Sequence, residues 1–546
     1  MRNIFATITT ISLILTASLC HAARGYTVSP TPRLTVEIIA SHLRYDYLAR
    51  IYRNLPETGI KRLIDSGTVY TAARYNYMFT QDSPGITTLM TGTQPSQHGI
   101  IGDRWINYTT NEVVSAIGDD SVIGVGCNED EGQFSPHRLA VSNVGDELRR
   151  ADPRSKVISI ALDPEGAILA GGTEPTAAYW FDGRYGRMVT STYYTDKLPD
   201  WVERFNARDE RNDYASALWH VTMDHNDYVF KKSSAIMLDT TLKFSFENIF
   251  RPKNRDYRRL RETPFGNTLL TDFAIEAIDR DSLGADDIPD LMIIDFGAQK
   301  YISEYYGVES TELEDAYYKL DRDIARILSH LDTAVGRDNY AVVFTSDHGI
   351  SDNVRAEGGR YNSGTFNAIQ FRVLINSFLS ARLGEGVWVS EYRNRQVYLN
   401  RRLIYERKLS LPEIQNDVAT FAIQFGGVAQ AVTATTLATN YYGRGIAMKI
   451  QNSFYPKHSG DVIINLMPGW IELENEAASW VTASSGSPYE YDVHVPLVFY
   501  GAGIGASVVE RSVDMTDVAP TVSDLLGVSH PNACEGHILG EIKKRQ

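Results

Sequence analysis

The chain of 546 residues has very little cysteine. Only Cys20, Cys127 and Cys534 occur, none at metal-ligand spacing, which excludes a Cys-based metal motif. Positive charge is also short. With 53 Lys and Arg against 68 Asp and Glu, the formal net charge is −15. That deficit argues against non-specific nucleic-acid binding, which rests on basic side chains neutralising phosphates. Long apolar runs are missing after the N-terminus. No later stretch offers about 18 uninterrupted apolar residues, so no membrane span is expected. The sequence holds no internal repeat and no low-complexity segment.

What is present begins with an export signal. Arg2 supplies the positive start, an apolar run extends from Ile11 to Leu19, and Cys20-His21-Ala22 permits cleavage after Ala22. A lipoprotein reading at Cys20 is weaker, because Leu19 stands where that signal wants a small side chain. The expected mature chain, residues 23–546, is then soluble outside the cytoplasm, in the periplasm or at the outer surface. Cys127 and Cys534 could pair in an oxidising compartment or remain as two buried thiols. Composition is ordinary for a globular protein, 43% hydrophobic and 22% charged, and the length allows a sizeable core.

Patterning points to an α/β fold. The β-branched run at 33–40 (RLTVEIIA) is of strand length, and Val69–Ala73, Val157–Ala161, Leu291–Phe296, Tyr340–Thr345 and His494–Tyr500 are further strand candidates. A helical stretch runs from Tyr45 to Ser66 with a break near Pro56, and a Pro84-Gly85 turn opens a short helix through Met90. Leu313, Tyr317, Leu320, Ile324, Leu328 and Leu331 recur at three- and four-residue spacing, which predicts an amphipathic helix. Strands alternating with helices imply a mostly parallel sheet covered on both faces. Segments at about 175–265 and 365–470 lack that rhythm and are expected as two insertions above the sheet. In such folds the site lies beyond the carboxyl ends of the strands.

The residues at those strand ends carry an ordered set of motifs. In sequence order they are Arg44-Tyr45-Asp46-Tyr47-Leu48, Met90-Thr91-Gly92-Thr93, His98-Gly99-Ile100-Ile101-Gly102 and Thr345-Ser346-Asp347-His348-Gly349. Gly460-Asp461-Val462, Pro468-Gly469-Trp470 and Gly486-Ser487-Pro488-Tyr489 follow, before His494-Val495-Pro496. From about Arg33 to Leu539 the chain resembles the type I phosphodiesterase/nucleotide pyrophosphatase branch of the alkaline phosphatase superfamily. Its nearest likeness is to bacterial periplasmic alkaline phosphatases with a Thr nucleophile. The resemblance implies an α/β/α sandwich and two zinc ions held by three Asp and three His. It also implies a Thr nucleophile, with Asn, Lys and Arg clamping the phosphoryl oxygens.

Carried over position by position, that chemistry is largely replaced. The first metal Asp becomes Ser41, and the nucleophile becomes Asp82. The clamp positions become Asp103, Asp163 and Glu165. The Asp-x-x-x-His ligand pair becomes Lys300 and Glu304, and the last metal His becomes Ser485. Of the six ligands only Asp347 and His348 remain. Thr80 is a rival nucleophile only in a shifted register, which the intact Ser83-Pro84-Gly85 and Thr91-Gly92 oppose. His42 is expected to be a poor replacement ligand, since neighbouring side chains on a strand face opposite sides. His98 and His494 are expected in the core.

Three functions follow as expectations. The leading one is a catalytically degenerate pseudoenzyme, an exported binding or scaffold protein whose partner is an unknown cell-envelope protein or glycan. Carboxylates where phosphate would be gripped should repel it, by several kcal/mol at about 4 Å. No cofactor is then expected, and at most one weak divalent metal at Asp347 and His348 with help from Glu304 or Asp82. Lys300 is expected to pair with Asp347 or Glu304 in place of zinc. The first alternative is a phosphate- or sulfate-ester hydrolase with altered or reduced metal use, in which Asp82 could serve as a carboxylate nucleophile. The second is a receptor for a small cation, such as a polyamine or amino sugar. The 31 tyrosines suit either a protein or glycan contact surface or core packing.

Overall fold

The strand Leu34–Ala40 (β1) is buried along its whole length. Leu34, Val36, Ile38 and Ala40 pack into one apolar cluster, and Ile39 into the opposite one. Asp290–Phe296 alternates likewise, with Met292, Ile294 and Phe296 on one side and Leu291 and Ile293 on the other. Strands apolar on both faces belong at the centre of a sheet covered by helices on each side. The computed structural model describes residues 31–230, 241–242, 257–353, 363–473 and 483–543. The expected export signal at 1–22 lies outside them, as does part of the first expected insertion.

In chain order β1 is followed by Thr68–Arg74 (β2), Gly124–Val125 (β3), Val157–Ala161 (β4), Ala177–Asp182 (β5) and Arg187–Ser191 (β6). Asp290–Phe296 (β7), Tyr340–Thr345 (β8), His494–Gly501 (β9), Ser507–Val509 (β10) and Val513–Asp514 (β11) complete one eleven-stranded sheet. The spatial order is β10-β2-β9-β8-β1-β7-β4-β5-β6-β3, with β11 beside β2. The run β8-β1-β7-β4-β5 is parallel. β9 joins β8 and β2 in antiparallel fashion.

Helices cover both faces, as the sequence implies. Asp82–Thr91 (α1) and Pro164–Gly171 (α2) contribute Ile86, Leu89, Ile168 and Leu169 to the cluster on one side. Pro264–Arg280 (α3), Ala298–Tyr306 (α4) and Thr311–Ala334 (α5) contribute to the other. All six periodic residues of α5 are buried there. Its start is capped by Ser310, whose side chain accepts the Leu313 amide. Pro84 and Gly85 differ from expectation. They lie inside the first turns of α1 and form no turn before it, because proline is tolerated where a helix's first amides have no partner.

The first expected insertion also resolves differently. Within 175–265, β5 and β6 extend the main sheet beyond β4 instead of lying above it. The segment 365–470 carries its own four-stranded sheet, Val389–Arg393, Gln396–Leu399, Val462–Leu466 and Val428–Thr433 in spatial order. Ala368–Leu383 and Leu411–Ala422 pack on it around the buried Trp388. Among the described residues, no helix is long and apolar enough to cross a membrane. Cys127 and Cys534 are both free.

One charged residue interrupts the centre. Glu37 on β1 is 1% exposed, its Oε2 has no hydrogen-bond partner, and burial pushes its carboxyl from 4.5 up to about 8. Between those values the folded chain holds a proton that the unfolded chain has lost. Stability should therefore be full below about pH 4.5 and fall by about 1.4 kcal/mol per unit until pH reaches the folded value. Urea midpoints from pH 5 to 9 should fall more steeply for the parent than for Glu37→Gln. Parallel profiles would show that the carboxylate is solvated.

Candidate active site

Four strand ends and one helix start converge. β1 delivers Ser41 and His42, β4 delivers Asp163, β7 leads through Gly297 into α4 with Lys300 and Glu304, and β8 delivers Asp347 and His348. α1 brings Asp82 in its first turn. Ser41 Oγ lies 3.1 Å from both Asp295 Oδ1 and Asp347 Oδ2, so its hydroxyl bridges two carboxyl groups that would otherwise repel. Burial raises the Asp295 carboxyl well above the usual range, and the neighbouring Asp347 adds to it. Asp347 is itself raised by burial, against the pull of His348.

Asp82 lies between two cations. His348 Nε2 is 2.9 Å from Asp82 Oδ1, while the Lys300 ammonium donates to Asp82 Oδ2. Burial alone would raise the Asp82 carboxyl, but Lys300 and His348 outweigh it and hold it well below the usual range. The same pairing acts on His348. Burial lowers its basicity, yet Asp347 and Asp82 together push it up to about 10. Lys300 stays protonated for the same reason: Asp82 and Asp163 overcome its desolvation. The expected pairing of Lys300 with Asp347 or Glu304 is thus corrected. The ammonium takes Asp82, with Asp163 Oδ2 next at 3.6 Å.

The three clamp positions do not form a bare anionic wall. Asp163 Oδ1 accepts from Arg261 Nη1 at 2.7 Å and from the Tyr301 hydroxyl at 2.7 Å. Asp103 caps α1, where its Oδ1 accepts the Ser83 amide at 3.1 Å and the Ser83 hydroxyl at 2.6 Å. Glu165 is pushed up to about 7 by burial, then by Asp103 and Asp163. Glu304 is likewise raised to about 7 by burial, with Lys300 opposing. Ser485 is the remaining ligand position implied by the resemblance. It lines a cavity of about 170 Å³ with Gln81 and Arg395, and its carbonyl accepts from Arg395 Nη2 at 3.3 Å. Thr80 is buried and donates to the Ser487 carbonyl at 3.1 Å, away from any nucleophilic role.

Three residues enter the site against or outside the sequence reading. His42 was expected to face away, but β1 ends at Ala40 and strand alternation ends with it. His42 instead has φ of 65°, and its ring centroid lies 4.8 Å from that of His348. Arg261 belongs to a short 3-10 turn, Arg258–Glu262, and no local motif marks it. Asp295 did leave a signal, as the one charge within the apolar run LMIIDF. His98 is buried, as expected, against Thr88.

Residues 36–471 match the family model of type I phosphodiesterase / nucleotide pyrophosphatase. A protein from Myroides odoratus named calcium-transporting ATPase is 32% identical across 95% of this chain and 97% of its own. Alkaline phosphatase PafA from Elizabethkingia meningoseptica is 30% identical across 97% and 98%. The crystal structure of wild-type PafA superposes with a TM-score of 0.87 at 31% identity, covering 94% of this chain and 99% of that one. This full-length likeness to named phosphatases overturns the expectation of a degenerate binding or scaffold protein and favours an ester hydrolase. The physical reason is on the site's walls. The repulsion argued from Asp103, Asp163 and Glu165 omitted Arg261 and Lys300, which supply positive charge there. In fold and in sequence over nearly its whole length, the chain belongs to the type I phosphodiesterase / nucleotide pyrophosphatase family of the alkaline phosphatase superfamily.

Proposed function

We propose that the chain hydrolyses a phosphate or sulfate ester with reduced metal use, outside the cytoplasm. The observation that carries this reading is the placement of Asp82, ionised between Lys300 and His348, at the nucleophile position that the family resemblance assigns. The two-zinc set of the family does not fit these residues. Lys300 places an ammonium, which offers no lone pair, at one ligand position, and it is already bonded to Asp82. Ser41 spends its hydroxyl on Asp295 and Asp347.

What the chain supplies instead is fixed positive charge beside a fixed carboxylate. Lys300 in the first turn of α4 and Arg261 in its 3-10 turn are held by carboxylates, so charge developing on ester oxygens would be met without reorganisation. Asp82, which Lys300 contacts, lies in the first turn of α1, at the positive end of that helix. The expected export signal supports a setting outside the cytoplasm.

The test is turnover of p-nitrophenyl phosphate, bis-p-nitrophenyl phosphate and p-nitrophenyl sulfate, with metal content measured on the same preparation. Turnover with fewer than two metal ions per chain, lost by at least tenfold in Asp82→Asn, is the expected result. No turnover on any of the three esters, or two zinc ions per active chain, would sink the reading.

A further inference from the structure

We propose that His42, Asp82 and His348 form a site for one divalent cation of the zinc class, different in composition from the two-zinc set of the family. His42 is not among the positions which the family resemblance assigns to metal. The three offer ligand atoms that all lie within 4.8 Å of one another. A tetrahedral zinc with bonds of about 2.0–2.1 Å needs ligand atoms about 3.4 Å apart, so the widest pair must close by about 1.4 Å. Two imidazoles and one carboxylate, with a position left over, are a donor set suited to zinc or cobalt.

The surroundings of the two rings support this. Each histidine has its Nδ1 engaged by an oxygen: Ser303 Oγ at 2.9 Å for His42, and the Gly349 carbonyl at 2.7 Å for His348. Such contacts select the tautomer that leaves Nε2 to ligate, and they fix the ring plane. Nε2 of His348 already points at Asp82 Oδ1. Lys300 holds the other oxygen, Oδ2, so a cation can share the carboxylate from the opposite side. The left-handed backbone at His42 is uncommon for a residue of this size, and it is what turns the ring toward His348.

The inference rests on the reading of this site as reduced in metal use, and binding is measured separately from turnover. The purified chain, stripped by a chelator, is titrated with Co²⁺ and with Zn²⁺ by calorimetry, and the Co²⁺ form is examined by visible absorption. One ion per chain is expected, with an absorption typical of a low-coordinate nitrogen and oxygen site. His42→Asn keeps a residue that tolerates positive φ but removes the imidazole, and should weaken binding at least tenfold. Ser303→Ala removes only the contact that orients His42 and should weaken it by about tenfold. Unchanged affinity in either folded variant, two ions per chain, or no binding at all would overturn the proposal. Intact binding in a chain without turnover would overturn the hydrolase reading alone.

Discussion

Replacing Lys300 by methionine is expected to destabilise the chelator-treated protein by about 3 kcal/mol and to remove most of its turnover. The methionine keeps the length and loses the charge. Lys300 is 22% exposed and Asp82 13%, so water can do little to replace the ammonium. Asp82 would retain His348 as its remaining cation and would still face the carboxyl groups of Asp347 and Asp103. Breaking a buried pair from one side leaves the other charge without compensation, which is why the loss exceeds the worth of the pair. Adding Asp82→Asn should therefore restore much of the stability while leaving turnover absent. Urea midpoints of the two single variants and the double variant check this. An unchanged midpoint in Lys300→Met would mean that the ammonium is solvated and that Asp82 is not its dependant.

The second large effect is steric. Gly85→Ala should lower stability by about 2 kcal/mol and turnover by about a hundredfold. A Cβ at Gly85 would lie 2.3 Å from the Asp347 carbonyl oxygen and 2.9 Å from its carbonyl carbon. Neither atom is the end of a flexible side chain, so α1 or the segment after β8 must move. In a free helix the same change would stabilise by about 1 kcal/mol. Contact with backbone reverses the sign here. The movement separates the two groups that the site depends on, because Asp82 rides on α1 while Asp347 and His348 lie in the segment just after β8. Equilibrium unfolding and steady-state kinetics on the purified variant measure both losses. A variant as active as the parent would show that α1 is free to slide without disturbing Asp82.

Most of the architecture was legible in the sequence because it depends on periodicity. Strands such as Val157–Ala161 and Tyr340–Thr345 match their predicted bounds, since an apolar run that short, between turn signals, has few other ways to bury itself. The helix Thr311–Ala334 follows from its 3.6-residue repeat. The placement of β5 and β6 did not follow, because edge pairing is decided by the neighbouring strand and leaves little mark on the paired sequence.

The same division runs through the site. Periodicity determined that strand and helix ends would carry the site, and the family resemblance, carried over position by position, implied that Ser41, Asp82, Asp163, Lys300, Asp347 and His348 meet there. The same resemblance implied that most ligand positions of the family are changed here. Only the tertiary structure decided what the changed residues do. A carboxylate's charge depends on which cation is within a few ångströms, and Arg261 reaches Asp163 from 98 residues away in the chain. His42 turned inward because it adopts positive φ two residues past the end of β1, a backbone choice that side-chain alternation cannot foretell. Local pattern sets the elements, whereas charge pairing and ring orientation are set by distances between them, and those exist only once the chain has folded.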